Sequence, residues 1–193
     1  LIFGAAWVYN TKYTYNAHFM HILKKHDSED IMERISKTNY YLDIAQTVAE
    51  RATCLRKKYG AIIVKNDAIV STGYVGAPRG RKNCSDICRC TRDEMNIPRG
   101  ERYEMCRSVH AEMNAVINAS RDQMLGADLY LACMDAKTGE LVSGTCCCMM
   151  CKRVVINAGI ARVFVRETPE EFTVYNTSDW IENDDSLSGK FGY

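Results

Sequence analysis

With 193 residues, 47% of them hydrophobic, the chain has the length and apolar content of one domain, which buries roughly 70% of its unfolded surface. A formal net charge of +1 supplies no global attraction to nucleic acid or an anionic membrane, and no apolar run approaches the ~18 residues of a membrane-spanning helix. Eight of the ten cysteines cluster at 84–106 and 146–151 rather than spreading as in a small disulfide scaffold, so a reduced, cytoplasmic protein with thiolate metal ligands is expected.

Residues 1–31 hold three of the four histidines (His18, His21, His26) and scattered tyrosines without a clear period. The apolar start, Leu1 to Val8, has no basic region before it and no cleavage site after it, unlike a secretory leader. Met32 then opens a stretch that reads as a natural start. Residues 1–31 are therefore expected to be an extension, with a helical arm as the alternative, followed by a main domain over 32–180 and a polar tail over 181–193. From Thr38, apolar residues at Tyr41, Ile44, Ala45, Val48, Ala49 and Ala52 follow helical spacing, with Thr38 or Asn39 as cap. Residues 61–64 and 68–74 form two apolar runs around Lys65-Asn66-Asp67 and predict a β-hairpin. Residues 75–109 show no period, and a loop of that length inside a compact domain is usually functional or pinned. A helix is predicted over 110–121 with Met113, Val116 and Ile117 inward, then a strand over 128–133 and a turn over 135–140. A second helix over 148–158 is stopped by Gly159, and another strand covers 161–166. Such an order implies a sheet covered by helices.

The chemistry lies at the starts of these two helices. One imidazole, His110, and two thiolates, Cys148 and Cys151, fill three tetrahedral positions around Zn²⁺ and leave the fourth for water, as catalytic zinc sites require. Cys148 and Cys151, three apart, share one face of a first helical turn, where free amides and the helix dipole favour thiolates. His110 and Glu112 diverge in mid-helix but can approach one centre at a helix start, so two helix N-termini are expected to face one metal ion. A zinc ribbon, the structural alternative, wants a fourth protein ligand, whereas His110 is the one histidine beyond residue 31 and a glutamate follows it. Except at the proline, where Cys147 stands, the pattern matches the known signature of zinc nucleobase deaminases, H-x-E…P-C-x-x-C. In that chemistry zinc brings the pKa of its water from 15.7 to roughly 7. Glu112 is then the expected catalytic residue, taking that proton to the ring nitrogen and next protonating the leaving ammonia.

Over residues 32–166 the chain resembles the deoxycytidylate (dCMP) deaminases of the cytidine deaminase-like superfamily. The likeness is carried by Tyr59-Gly60-Ala61-Ile62-Ile63-Val64, by Thr72-Gly73-Tyr74-Val75-Gly76-Ala77-Pro78-Arg79-Gly80 and by Asn83-Cys84. It continues in Arg107-Ser108-Val109-His110-Ala111-Glu112-Met113-Asn114-Ala115 and in the run from Cys148 through Asn157-Ala158-Gly159-Ile160. The resemblance implies a three-layer α/β/α fold with a five-stranded mixed sheet, a homo-oligomer, and conversion of dCMP to dUMP for thymidylate synthesis. It also implies dCTP as activator and dTTP as inhibitor, with Gly73, Tyr74, Gly76, Pro78, Arg79, Arg107 and Ser108 as substrate- or effector-binding candidates. Some members carry a second, structural zinc, for which Cys54, Cys84, Cys90 and Cys106 are candidates; buried or free thiols are the alternative. The long loop holds Arg79, Arg81, Lys82, Arg89, Arg92, Arg99, Arg102 and Arg107; one or two of its arginines are expected to hold phosphate, with a solvated surface interleaved by Asp86, Asp93, Glu94, Glu101 and Glu104 as the alternative. Tyr103 or Tyr130 is expected to stack on the base, although Tyr130 also reads as core.

Two positions depart from the family pattern. Cys147 stands where the family has proline, which creates a Cys146-Cys147-Cys148 run and admits a ligand pair shifted to Cys147. Val75 replaces an asparagine expected to hydrogen-bond the nucleotide. Deamination of another base (guanine, cytidine or transfer-RNA adenosine) is an alternative, the last disfavoured by near-neutral charge. A non-catalytic zinc-bound nucleotide sensor is another, disfavoured by Glu112.

Overall fold

In this computed structural model residues 34–98 and 100–183 are described; the extension expected over 1–31 lies outside them. The elements run α1 (Lys37–Ala49), β1 (Lys57–Lys65), β2 (Ala68–Tyr74), α2 (Cys84–Ile87), α3 (Thr91–Glu94), α4 (Ala111–Ile117) and α5 (Arg121–Met124). They continue with β3 (Asp128–Asp135), α6 (Met149–Ala158), β4 (Arg162–Arg166), β5 (Phe172–Asn176) and α7 (Thr177–Glu182). One mixed sheet has the order β2-β1-β3-β4-β5. Every pairing is antiparallel except β3 with β4, and α6 supplies the crossover that a parallel pair needs.

Helices cover both faces of this sheet. Alternate residues of the central strands point to opposite sides, so Ile62, Val64, Tyr130, Ala132 and Phe164 pack with Tyr41, Leu42 and Ala45 of α1. On the other side, Ala61, Ile63, Leu129, Leu131, Val163 and Val165 pack with Ala111 and Ala115 of α4 and Cys151 and Val155 of α6. The three-layer α/β/α expectation therefore holds. Among the described residues no helix is long and apolar enough to cross a membrane.

Local chemistry explains most boundaries. The hairpin turns on Asn66 and Asp67 at φ 50° and 65°, the left-handed pair of a two-residue type I′ turn. The Tyr41 hydroxyl donates to the Asp67 carboxylate (2.7 Å) and to its carbonyl (2.9 Å), fastening the turn to α1. The cap of α1 is Ser36, whose oxygen accepts from the Asn39 amide (3.2 Å), and not Thr38 or Asn39. The Asn39 side chain is committed elsewhere, donating to the Glu170 carbonyl (3.3 Å) and accepting from the fully buried Arg166 (3.2 Å).

The helix predicted over 110–121 is shorter than its pattern. The α4 helix ends at Ile117, Asn118 turns its side chain onto the Thr72 carbonyl (3.0 Å), and Ser120 caps the separate α5 with Gln123 as its box partner. Ile117, expected to face inward, is consequently 71% exposed, while Met113 and Val116 do pack against the core. A fifth strand, β5, has no counterpart in the residue pattern, although the family resemblance implied it. It is an edge strand with Thr173 and Tyr175 half-buried.

Two glycines set the distance between layers. A Cβ on Gly60 would sit 2.2 Å from the Ala45 carbonyl oxygen, and one on Gly73 would sit 2.3 Å from both the Ala111 oxygen and the Ala115 nitrogen. Gly73 thus lets the backbone of α4 rest directly on β2. The long connection over 75–109 is closed at its base by a β-bridge between Gly76 and Val109, with N···O distances of 3.2 and 2.8 Å.

Candidate active site

His110 is the N-cap residue of α4 and Cys148 that of α6, both in extended backbone, and Cys151 lies in the first turn of α6. The two helix starts meet. His110 Nδ1 lies 3.4 Å from Cys148 Sγ and 3.3 Å from Cys151 Sγ. Zn–S bonds of about 2.3 Å and a Zn–N bond of about 2.0 Å at the tetrahedral angle place N and S roughly 3.6 Å apart, so the set needs little movement to close on zinc. Among the described residues, these three bring ligand atoms within 4.8 Å of one another.

Electrostatics match that donor set. A hydrogen bond from the Cys151 thiol holds Cys148 at about 4, and the same shared proton pushes Cys151 up. A cation placed between the two sulfurs would stabilise both as thiolates. Glu112, on the first turn of α4, is 3% exposed. Burial pushes its carboxyl up, and His110 opposes that shift. The Cys147 thiol hydrogen-bonds Glu112 and is itself buried. Cys147 stands outside the three-residue set, so the pair that the fold brings to His110 is Cys148 with Cys151.

A pocket of about 150 Å³ opens beside these groups, lined by His110, Glu112 and Cys148 and walled by Tyr59, Val75 and Tyr103. Tyr103 meets the His110 ring edge-on at 5.0 Å, and the Arg92 guanidinium lies 4.5 Å over the other ring. Tyr130 instead stacks on Phe164 in the core, with centroids 4.7 Å apart. Val75 is 6% exposed and presents methyls where an asparagine was expected to offer an amide.

The remaining candidates divide between two places. Arg107 and Ser108 line the metal pocket. Gly73, Tyr74, Gly76, Pro78 and Arg79 line a second, polar cavity of about 320 Å³, together with Arg51 and Arg81. Of the arginines expected to hold phosphate, Arg92 and Arg107 face the metal pocket and Arg79 and Arg81 the second cavity; Arg99 lies outside the described residues. Cys54, Cys84, Cys90 and Cys106 all line the metal pocket, but no three of their sulfurs come within 4.8 Å of one another. Burial pushes the Cys84 thiol up, and the nearby Cys54, Cys106 and Cys90 add to it. Arg56 and Lys57 were not singled out from the sequence, yet both line the metal pocket. A cation just before β1 or at its first position carries no local pattern that would mark it.

Residues 35–167 match the cytidine and deoxycytidylate deaminase zinc-binding region. The chain belongs to this deaminase family. Its relatives include the deoxycytidylate deaminase of Mycobacterium phage D29, 35% identical over 136 residues, which cover 68% of this chain and 95% of that one. The deoxycytidylate deaminase of Schizosaccharomyces pombe is 28% identical over 148 residues, 75% of this chain and 42% of its own length. The chain thus spans less than half of the yeast relative. Among solved structures, the dCMP deaminase from cyanophage S-TIM5 in apo form superposes with a TM-score of 0.48 and 23% identity over 70% of this chain and 86% of that one. Zinc, the metal of the deaminase family, fits the donor set described above.

Proposed function

We propose that the chain is a zinc-dependent dCMP deaminase, converting dCMP and water to dUMP and ammonia and so supplying dUMP for thymidylate synthesis. The observation that carries this reading is a buried glutamate, Glu112, on the helix turn after His110 and in one pocket with Cys148. His110, Cys148 and Cys151 are assigned as metal ligands, and Glu112 as the catalytic residue. These three ligands would hold zinc, which would lower the pKa of a bound water to about 7 and so supply a nucleophile at neutral pH.

The protein's own groups do the rest. Burial gives Glu112 a higher proton affinity than a surface glutamate, as suits a group that accepts a proton from water and returns it within the turnover. Glu112 delivers that proton to the ring nitrogen next to the amino-bearing carbon, then carries the second proton of the attacking water to the departing amine. Tyr59, Val75 and Tyr103 enclose the base and exclude bulk water. Cys54, between α1 and β1, and the loop thiols Cys84, Cys90 and Cys106 are assigned a second, structural zinc, which requires their sulfurs to draw closer together than they stand. The arginine-lined second cavity is assigned to a dCTP or dTTP effector, in a cytoplasmic homo-oligomer.

Ammonia release from dCMP, cytidine, dCTP and guanine, with Glu112→Ala as control, tests the reading. Turnover of dCMP by the wild type and its loss in the variant are expected. No turnover of any nucleotide by zinc-replete wild type ends it.

A further inference from the structure

Glu112 is a buried carboxylate, 3% exposed, and beside it at the start of the other helix lies Cys147, 4% exposed. The ligand geometry brings the two together. Glu112 follows His110 by two positions, Cys147 precedes Cys148 by one, and His110 meets Cys148 at 3.4 Å. Cys147 packs in the same core cluster as Ala111, the neighbour of Glu112, and Cys151. Its thiol hydrogen-bonds the Glu112 carboxylate. Burying a carboxylate is costly unless a donor meets it, and here a side chain outside the metal set supplies one.

The proline that the deaminase signature places at this position has no side-chain donor, so the thiol is a group that this chain adds to the site. A buried thiol keeps its proton at neutral pH and has one hydrogen to give. Two acceptors compete for it, the Cys146 sulfur and the Glu112 carboxylate. The carboxylate is the better acceptor, because a charge-assisted bond is roughly twice as strong as a neutral one. The Cys146 sulfur also receives the hydroxyl of Tyr175, which packs against the same cluster. Nothing intrinsic to a glutamate fixes its carboxylate plane, since the terminal torsion is broad and two-fold. A donor on one oxygen fixes it.

We propose that Cys147 is a positioning residue for Glu112: its thiol ties back one carboxylate oxygen and leaves the other for the metal pocket, which Glu112 lines. The kinetic consequence rests on the deaminase reading; the hydrogen bond does not. Zinc-loaded wild type, Cys147→Ala and Cys147→Ser are compared for kcat and KM with dCMP, with zinc content and melting temperature measured on each. Alanine removes the donor, and serine restores one of a different element. Separately, the S–H stretching band of Cys147 is taken as the Raman difference between a protein and its Cys147→Ser counterpart. It is recorded once with Glu112 in place and once with Glu112→Gln.

Cys147→Ala is expected to lose about 10- to 100-fold in kcat, the size of one hydrogen bond to a charged group, with KM and zinc content unchanged. Cys147→Ser is expected to recover most of that loss. A loss carried in KM or in zinc content is what a displaced helix start would produce, and it overturns the proposal. So does a wild-type kcat in Cys147→Ala, or a Cys147→Ser as slow as Cys147→Ala. If wild type turns over no nucleotide, the deaminase reading has failed and the Raman band still decides the bond. A band that moves to higher wavenumber in Glu112→Gln, as the acceptor loses its charge, supports it; an unmoved band overturns it.

Discussion

His110 Nδ1 and Cys151 Sγ lie 3.3 Å apart although 41 residues separate them in the chain, because the first turns of α4 and α6 end at one point. That closeness predicts where zinc binds. Elemental analysis of Cys151→Ser is expected to show loss of the catalytic zinc and a lower melting temperature, since binding free energy is lost from the folded state alone. Two zinc ions per chain are expected in the wild type, and one in Cys84→Ser. A single zinc in the wild type would remove the second site while leaving the first.

Glu112→Gln keeps the shape of the buried carboxylate but cannot shuttle a proton. Its kcat is expected to fall by about 10²- to 10⁴-fold with zinc content unchanged. A kcat within a few-fold of wild type, measured by ammonia release, would assign the proton transfer to another group.

The metal set was legible in the sequence because its spacing obeys local rules. Cys148 and Cys151, three positions apart, share one helical face, and a histidine cap precedes its glutamate by two. The hairpin was equally open to reading, since Asn66 and Asp67 are among the few residues that accept a left-handed turn. What escaped had its cause outside the local segment. Ile117 fits the apolar period of α4, but Asn118 ends the helix by bonding to Thr72, 46 residues away. The strand β5 lacks a fully buried face, so its alternation is weak. Arg56 becomes part of the pocket through Asp93 and the path of the long connection, a purely tertiary arrangement.

Val75 predicts a gain. Val75→Asn places an amide donor and acceptor in the wall of the metal pocket. With no ligand that buried amide is unsatisfied, so a melting temperature lowered by a cost of about 1–3 kcal/mol is expected. With nucleotide bound the loss should be recovered, and the KM for dCMP should fall by roughly 3- to 10-fold. The same drop in melting temperature with and without ligand would mean that position 75 does not touch the nucleotide.

Asp135 supplies a pH test. Its carboxylate accepts from Lys57 (2.8 Å) and from the amides of Lys137 (2.9 Å) and Thr138 (3.2 Å). The Lys57 bond foremost, with the two amides, holds it at about 2, below the ordinary 3.8. A carboxyl depressed on folding stabilises the fold at pH values above its unfolded pKa and loses that contribution as pH falls through the folded one. The gap in melting temperature between wild type and Asp135→Asn should therefore be full near neutrality and close between about pH 4 and pH 2. A gap independent of pH over that window would assign the effect of the substitution to packing.

Gly73→Ala tests the contact between β2 and α4. A Cβ 2.3 Å from two backbone atoms cannot be absorbed by a side-chain rotation, so the helix must shift. A destabilisation of about 1–3 kcal/mol is expected, with weaker zinc retention under chelator challenge, because His110 caps the displaced helix. Unchanged zinc retention with lowered stability would show that the metal tolerates movement of α4.

The absence of a side chain at Gly73 has a consequence for how such a protein can diversify. Backbone resting on backbone registers the ligand helix to the sheet independently of the residues in the pocket wall. Val75, Tyr103 and Arg56 can then be exchanged to alter which molecule is admitted, while the coordinates of the reacting centre stay put. Recognition and reactivity are in this sense separately heritable traits of one scaffold.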